Sequence, residues 1–277
     1  SGSGLALRGI EVEANDRMLT HSLALLLRKA ALRARVQRRR EQEGDDIDLD
    51  EWLLAIDSPL RGSSPGHASG DPERVYRRMS RKPVRCAMLL LVDCSASSAR
   101  PYGPDAALSQ LAAQQRAASL LAQAACAAGW SVAIQGFSSD GRHRVEHWHV
   151  KDFAEPWDSS AAQSLANLGC GGSTRLGAAV RHASTALSRE AADCRLLLAL
   201  GDGEPHDVDI HDPRYLVEDA RHAVQMARMQ GIDCSALLFD AAMANIPEQV
   251  FGKNAALPLR ALEGLPSALG RLLARRR

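Results

Sequence analysis

Seven apolar residues in succession, Cys86-Ala-Met-Leu-Leu-Leu-Val92, stop abruptly at Asp93. A short apolar run followed by a helical pattern predicts a central strand of a parallel sheet, buried on both faces. A second such run, Leu196–Leu200, stops at Gly201-Asp202-Gly203. Strands are also expected over Trp130–Phe137, Ile232–Phe239 and about 256–260. Between them the apolar period changes to that of a helix. Leu108, Leu111, Ala118, Leu121 and Ala125 stripe a helix expected at about 105–128, ended by Gly129. Leu176, Val180, Ala183 and Leu187 stripe the next, and further helices are expected at about 214–230 and 264–275. Ser139-Asp140-Gly141 is a turn signal, so Arg142–Val150 is read as a third strand in a hairpin with the second. Residues 151–172 show no period and are read as irregular. The order is β-α-β-β-α-β-α-β-(α)-β-α. It predicts an α/β fold: a doubly wound, mostly parallel six-stranded sheet with one antiparallel edge strand and helices on both faces.

The first third of the chain reads differently. Residues 11–43 contain no glycine or proline, and Leu25, Leu32 and Val36 recur near helical spacing, which predicts one long amphipathic helix. Its end carries Arg33, Arg35, Arg38, Arg39 and Arg40, followed by an acidic stretch from Asp45 to Glu51 that partly neutralises them. A short helix is expected over Asp50–Ile56, then a Gly/Pro/Ser-rich linker at 57–72 and a basic segment, Asp71–Arg78, leading into the first strand. Residues 1–4 read as an expression scar, 5–83 as a helical extension with its linker, and 84–277 as the α/β domain.

Composition narrows the function. With 45% hydrophobic and 24% charged residues and a net charge of +1, the 277-residue chain has no global field to recruit nucleic acid or an acidic membrane. No apolar stretch approaches the roughly 20 residues that span a bilayer, and the start lacks the pattern of a signal peptide. The six cysteines show no C-x-x-C pair and mostly lie in apolar segments, as small hydrophobes do. A reducing cytoplasm is the expected setting.

The ends of the apolar runs carry the chemistry. In a doubly wound sheet, ligands bind outside the carboxyl ends of the strands. Asp93, Ser95 and Ser97 follow the first strand, Thr174 opens a helix after Gly171-Gly172, and Asp202 ends the fourth strand. Each alone also suits a helix N-cap. Together, with the first and fourth strands adjacent, they form a set of two carboxylates and three hydroxyls. That set suits Mg2+ or Mn2+ and disfavours Zn2+. His143, His147 and His149 share one face of the hairpin strand by its two-residue period and are read as outward-facing edge residues. The Asp/His loop at 204–212 is read as a solvated, helix-entering loop beside the site.

The D-C-S-A-S, G-G-S-T-R-L-G and L-A-L-G-D-G segments resemble the metal-ion-dependent adhesion site of the von Willebrand factor A family, over roughly residues 84–277. The resemblance implies Mg2+ (or Mn2+/Ca2+) held directly by Ser95, Ser97 and Thr174. Asp93 and Asp202 often act through water in this family, and one position is left for a partner's carboxylate. Gly201 departs from the family, which usually has Thr or Ser there. Gly203–Ala223, Gly44–Asp50 and Arg74–Arg78 further resemble the C-terminal region of CbbO and NorD proteins, which partner MoxR-type AAA+ ATPases. Asp212-Pro-Arg-Tyr-Leu-Val-Glu-Asp-Ala-Arg221 is closer to CbbO, the adaptor of a Rubisco activase. NorD, a nitric oxide reductase activation protein, is the near alternative. The resemblance thus implies a non-enzymatic adaptor for a hexameric, CbbQ-like ATPase, with Rubisco as the client gripped through an acidic residue. The chain lacks a G-x-x-x-x-G-K-[ST] loop for nucleotide. The rival is a Mg2+-dependent hydrolase with Cys94 or the 206–212 histidines as nucleophile or base.

Overall fold

The computed structural model describes residues 2–33, 36–41, 46–47, 76–80, 84–103, 108–210, 212–240 and 245–275. The chain divides into two compact units, Ser1–Ala30 with Arg85–Arg277, and Ala31–Val84.

The larger unit is built on a six-stranded sheet. Its strands are β4 (Cys86–Asp93), β7 (Ser131–Ser139), β8 (Val145–Lys151), β9 (Cys194–Gly201), β10 (Ile232–Leu238) and β11 (Ala256–Pro258). Their spatial order is β11-β10-β9-β4-β7-β8, all parallel except β8, which runs antiparallel to β7 at the edge. This is the α/β architecture expected from the alternation of runs, with the von Willebrand factor A-like arrangement. All eight residues of β4 are buried, as an uninterrupted apolar run between two neighbours requires.

Helices cover both faces. On one, α2 (Gln110–Ala127) packs on β4, β7 and β9. On the other, α4 (Leu176–Arg189) and α5 (Pro213–Met229) bury Val180, Ala183, Leu187, Ala220, Val224 and Ala227 against Leu89, Leu91, Leu197 and Ala236. Each fully buried Leu or Val contributes about 1.5–3 kcal/mol relative to exposure. The remaining helices are α3 (Ser159–Ala166), α6 (Asn245–Phe251) and α7 (Leu265–Ala274). The stretch 151–172, expected to be irregular, contains α3, where Asp158 caps the helix by accepting from Ala161 N at 2.9 Å. Helix α2 starts later than expected, at Gln110. Its cap is Ser109, and β5 (Pro101–Tyr102) pairs with β6 (Leu108–Ser109) just before it.

The N-terminal helix α1 spans Gly2–Arg33. Leu23 and Leu27 are fully buried, Asp16 pairs with Arg116 of α2 at 2.7 Å, and Arg28 donates to Ala127 O at 2.7 Å. Thus α1 belongs to the sheet unit. The helix expected to run to residue 43 ends at 33, and β1 (Val36–Glu41) follows as a strand. In the smaller unit, β1 and β2 (Asp46–Ile47) each pair antiparallel with β3 (Tyr76–Ser80). The backbone of β1 is satisfied by a partner far along the chain, and its own residues, Val-Gln-Arg-Arg-Arg-Glu, carry no apolar alternation that would announce a strand. The helix expected over Asp50–Ile56 and the linker at 57–72 lie outside the described residues.

Candidate metal centre

The order reverses between β4 and β9, which leave their adjoining carboxyl ends at a topological switch point. Val92 is in register with Leu200, so Asp93 lies beside Gly201 and Asp202 follows directly. The structure brings all five predicted residues together. Ser95 N donates to Asp93 Oδ1 at 2.9 Å. The Ser95 and Ser97 hydroxyls are 2.9 Å apart. Ser97 Oγ donates to Asp202 Oδ2 at 2.7 Å, and Thr174 Oγ1 lies 3.4 Å from Asp93 Oδ2. Asp202 Oδ1 also accepts from Glu204 N at 3.0 Å. Asp93 and Asp202 are 2% and 4% exposed, while Ser97 is half-buried and gives the cluster its way out.

Neighbouring backbone holds these loops in place. Gly171 N donates to Cys94 O and Ala96 N donates to Gly172 O, fastening the glycine loop to the loop after β4. Gly172 has φ 71°, and a Cβ there would come 2.5 Å from Ser139 O, so the tight turn before Thr174 requires glycine. Ser98 Oγ donates to Asp93 O and accepts from Gln114 Nε2 at 3.1 Å, tying the loop to α2.

Electrostatics set the chemistry. Burial, with the Asp202 charge beside it, pushes the Asp93 carboxyl up to about 7. The two acids are held by hydroxyls and amides. A divalent cation would supply the opposite charge that such a buried pair asks for, and the donor set of oxygens alone fits Mg2+, Mn2+ or Ca2+. Among the described residues no three His, Cys, Asp or Glu side chains gather as a metal cluster, so this set of two carboxylates and three hydroxyls stands apart from Zn2+-type sites.

Other candidates fall elsewhere. His147 stacks on His182 of α4 with ring centroids 4.0 Å apart, so one of the three hairpin histidines packs inward instead of facing out. Its neighbours His143 and His149 are exposed. The loop at 204–212 is not simply solvated. Asp207 is 2% exposed and ion-paired to Arg175 at 2.8 Å, a buried pair the sequence analysis missed. A basic residue next to Thr174 and an acid five residues past Asp202 were the available signal. Asp212 caps α5 by accepting from Arg214 N, and His211 lies outside the described residues. Cys94 is fully buried and its thiol is pushed up to about 12 by burial and by Asp93, a poor nucleophile. No helix among the described residues is long and apolar enough to cross a membrane.

The fold is a doubly wound α/β sheet with an oxygen-donor cluster at its switch point. No family model matches the chain. It is similar to an uncharacterized protein, PA0525, of Pseudomonas aeruginosa, with 35% identity over 92% of this chain and 41% of that protein. It is also similar to Protein NorD of Brucella suis biovar 1, with 34% identity over 83% of this chain and 35% of NorD. The chain thus spans about two fifths or less of the length of these relatives. Among solved structures, a D319A mutant of the PilB minor pilin from Streptococcus sanguinis superposes with a TM-score of 0.55 at 12% identity. It covers 72% of this chain and 63% of the pilin, a likeness of fold alone. The similarity to NorD supports the alternative named above better than the CbbO assignment.

Proposed function

We propose that this chain is the metal-dependent protein-binding module of a NorD-type adaptor that works with a hexameric MoxR-type AAA+ ATPase in the cytoplasm and is not itself an enzyme. What carries the proposal is the chain of contacts Thr174–Asp93–Ser95–Ser97–Asp202. When bound, Mg2+ (or Mn2+/Ca2+) supplies a positive centre with a coordination position open to an acidic residue of a client protein. Ser97 and Thr174 direct their hydroxyl hydrogens at Asp202 and Asp93, which leaves oxygen lone pairs free for a cation. The three hydroxyls are neutral donors and take up none of the charge, while the aspartates orient them. The half-buried Ser97 is where a client side chain would approach. By resemblance to NorD, the client is nitric oxide reductase. The wording of Asp212–Arg221 supports a second client, inhibited Rubisco, as in CbbO. The high-lying, buried Cys94 thiol weighs against the hydrolase alternative.

The test is a titration of the protein with Mg2+ and Mn2+, followed by capture of a MoxR-type ATPase and each client with and without EDTA. Binding lost in EDTA and in Asp93→Ala or Ser95→Ala is expected. Equal capture by a folded Asp93→Ala variant would sink the proposal, and the client retained decides between the two assignments.

A further inference from the structure

The loop after β9 carries a second set of charges that the five ion residues do not use. Asp207 accepts from Ser139 Oγ at 2.9 Å, Gly141 N at 2.8 Å, Val208 N at 2.7 Å and Arg175 Nε at 2.8 Å. Arg175 reaches on through Nη2 to Asp209, whose other oxygen accepts from Arg142 N at 2.8 Å. Ser139 Oγ in turn accepts from Arg175 N at 3.1 Å. Three segments therefore meet at one buried ion pair: the turn between β7 and β8, the residue after Thr174, and the loop that begins with Asp202.

The location matters more than the strength. Thr174 and His206 exchange both backbone hydrogen bonds, at 2.8 and 3.0 Å, beside the ion pair. Thr174 is thus held to the loop that starts at Asp202. A buried ion pair contributes little net stability, because its desolvation offsets its attraction, whereas removing one partner strands the other charge. Burial pushes the Asp207 carboxyl up, but the Gly141 amide, the Ser139 hydroxyl, the Val208 amide and Arg175 hold it below the usual carboxylate range. It stays charged and keeps its grip on Arg175.

We infer that Arg175 and Asp207 are positioning residues of the ion site, a clamp that fixes Thr174 against the Asp202 loop before any ion arrives. This rests on the five-residue set being an ion site. Ligands on two separate loops bind an ion well only if the spacing is set in advance, and residues that orient ligands typically shift affinity by about 10–100-fold.

The experiment compares the parent with Asp207→Asn, Arg175→Lys and, as a control on the helix that follows Arg175, Arg181→Gln. The control breaks an exposed pair with Asp219 that touches none of these loops. Mn2+ affinity is measured by calorimetry, and backbone hydrogen exchange is followed in EDTA. Mn2+ binding is expected to weaken about tenfold or more in the two clamp variants. Exchange at Thr174 and His206 should quicken while β4 and β9 stay protected, and Arg181→Gln should match the parent. Arg175→Lys keeps the charge but loses the fork, so it serves if Asp207→Asn fails to fold. Clamp variants that bind Mn2+ within twofold of the parent overturn the clamp alone. A parent that binds neither Mn2+ nor Mg2+ overturns the ion site and the clamp with it.

Discussion

Gly201 sits so close to Asp93 that a Cβ on it would lie 2.7 Å from the Asp93 Cβ and 3.0 Å from its Oδ2. A side chain at this place is therefore opposed by contact with the neighbouring strand end, and the glycine there is a packing requirement. Gly201→Ser is expected to cost about 1–3 kcal/mol, as other overpacked sites do. It should also displace the Asp93 carboxylate. Urea unfolding in EDTA checks the first effect and Mn2+ titration the second; an unchanged midpoint would contradict the close approach.

The raised Asp93 carboxyl gives a signed pH dependence. A group whose folded value lies near 7, against 3.8 for an ordinary aspartate, binds its proton more readily in the folded state. Its stabilising contribution is full below about 3.8 and is lost as pH rises through about 7. In EDTA, the melting temperature should fall between pH 5 and pH 8, and Asp93→Asn should flatten that fall. Adding Mg2+ at pH 8 should raise the parent and leave Asp93→Asn unmoved.

His147 gives the opposite slope. Burial, with His182 stacked on it, lowers its value to about 4 from 6.5, so it stays neutral in the fold and charges on unfolding. Stability from this group is present above about 6.5 and lost as pH falls toward 4. His147→Phe should reduce the loss measured by urea unfolding between pH 7 and pH 5.

The attachment of α1 to the sheet unit is testable through its buried leucines. Leu27→Ala removes a fully buried side chain and should destabilise the protein by about 2–5 kcal/mol. Leu25, 51% exposed on the same helix, should tolerate alanine within about 0.5 kcal/mol. Equal effects would mean that α1 is not packed as described.

Legibility followed the physics of each region. Strands β4 and β9 were readable because burial on both faces leaves uninterrupted apolar runs. The meeting of Asp93, Ser95, Ser97 and Asp202 was readable because they stand where those runs stop, and Thr174 because a glycine pair opens a helix there. Strand β1 was not, since its backbone bonds come from β3 and its arginines carry no period. Asp207 was misjudged because polar residues in a loop look solvated, and only the tertiary fold brings Arg175 onto it. His147 was misplaced because period two assigns a face without saying which helix covers it.

The hydroxyl of Ser97 and the carboxylate of Asp202 are 105 residues apart in the chain, and β7, β8, α3 and α4 are made between them. A ribosome must therefore deliver four strands of the sheet before the proposed ion site is complete. On the function proposed above, a divalent ion is therefore a late guest that joins strands already made.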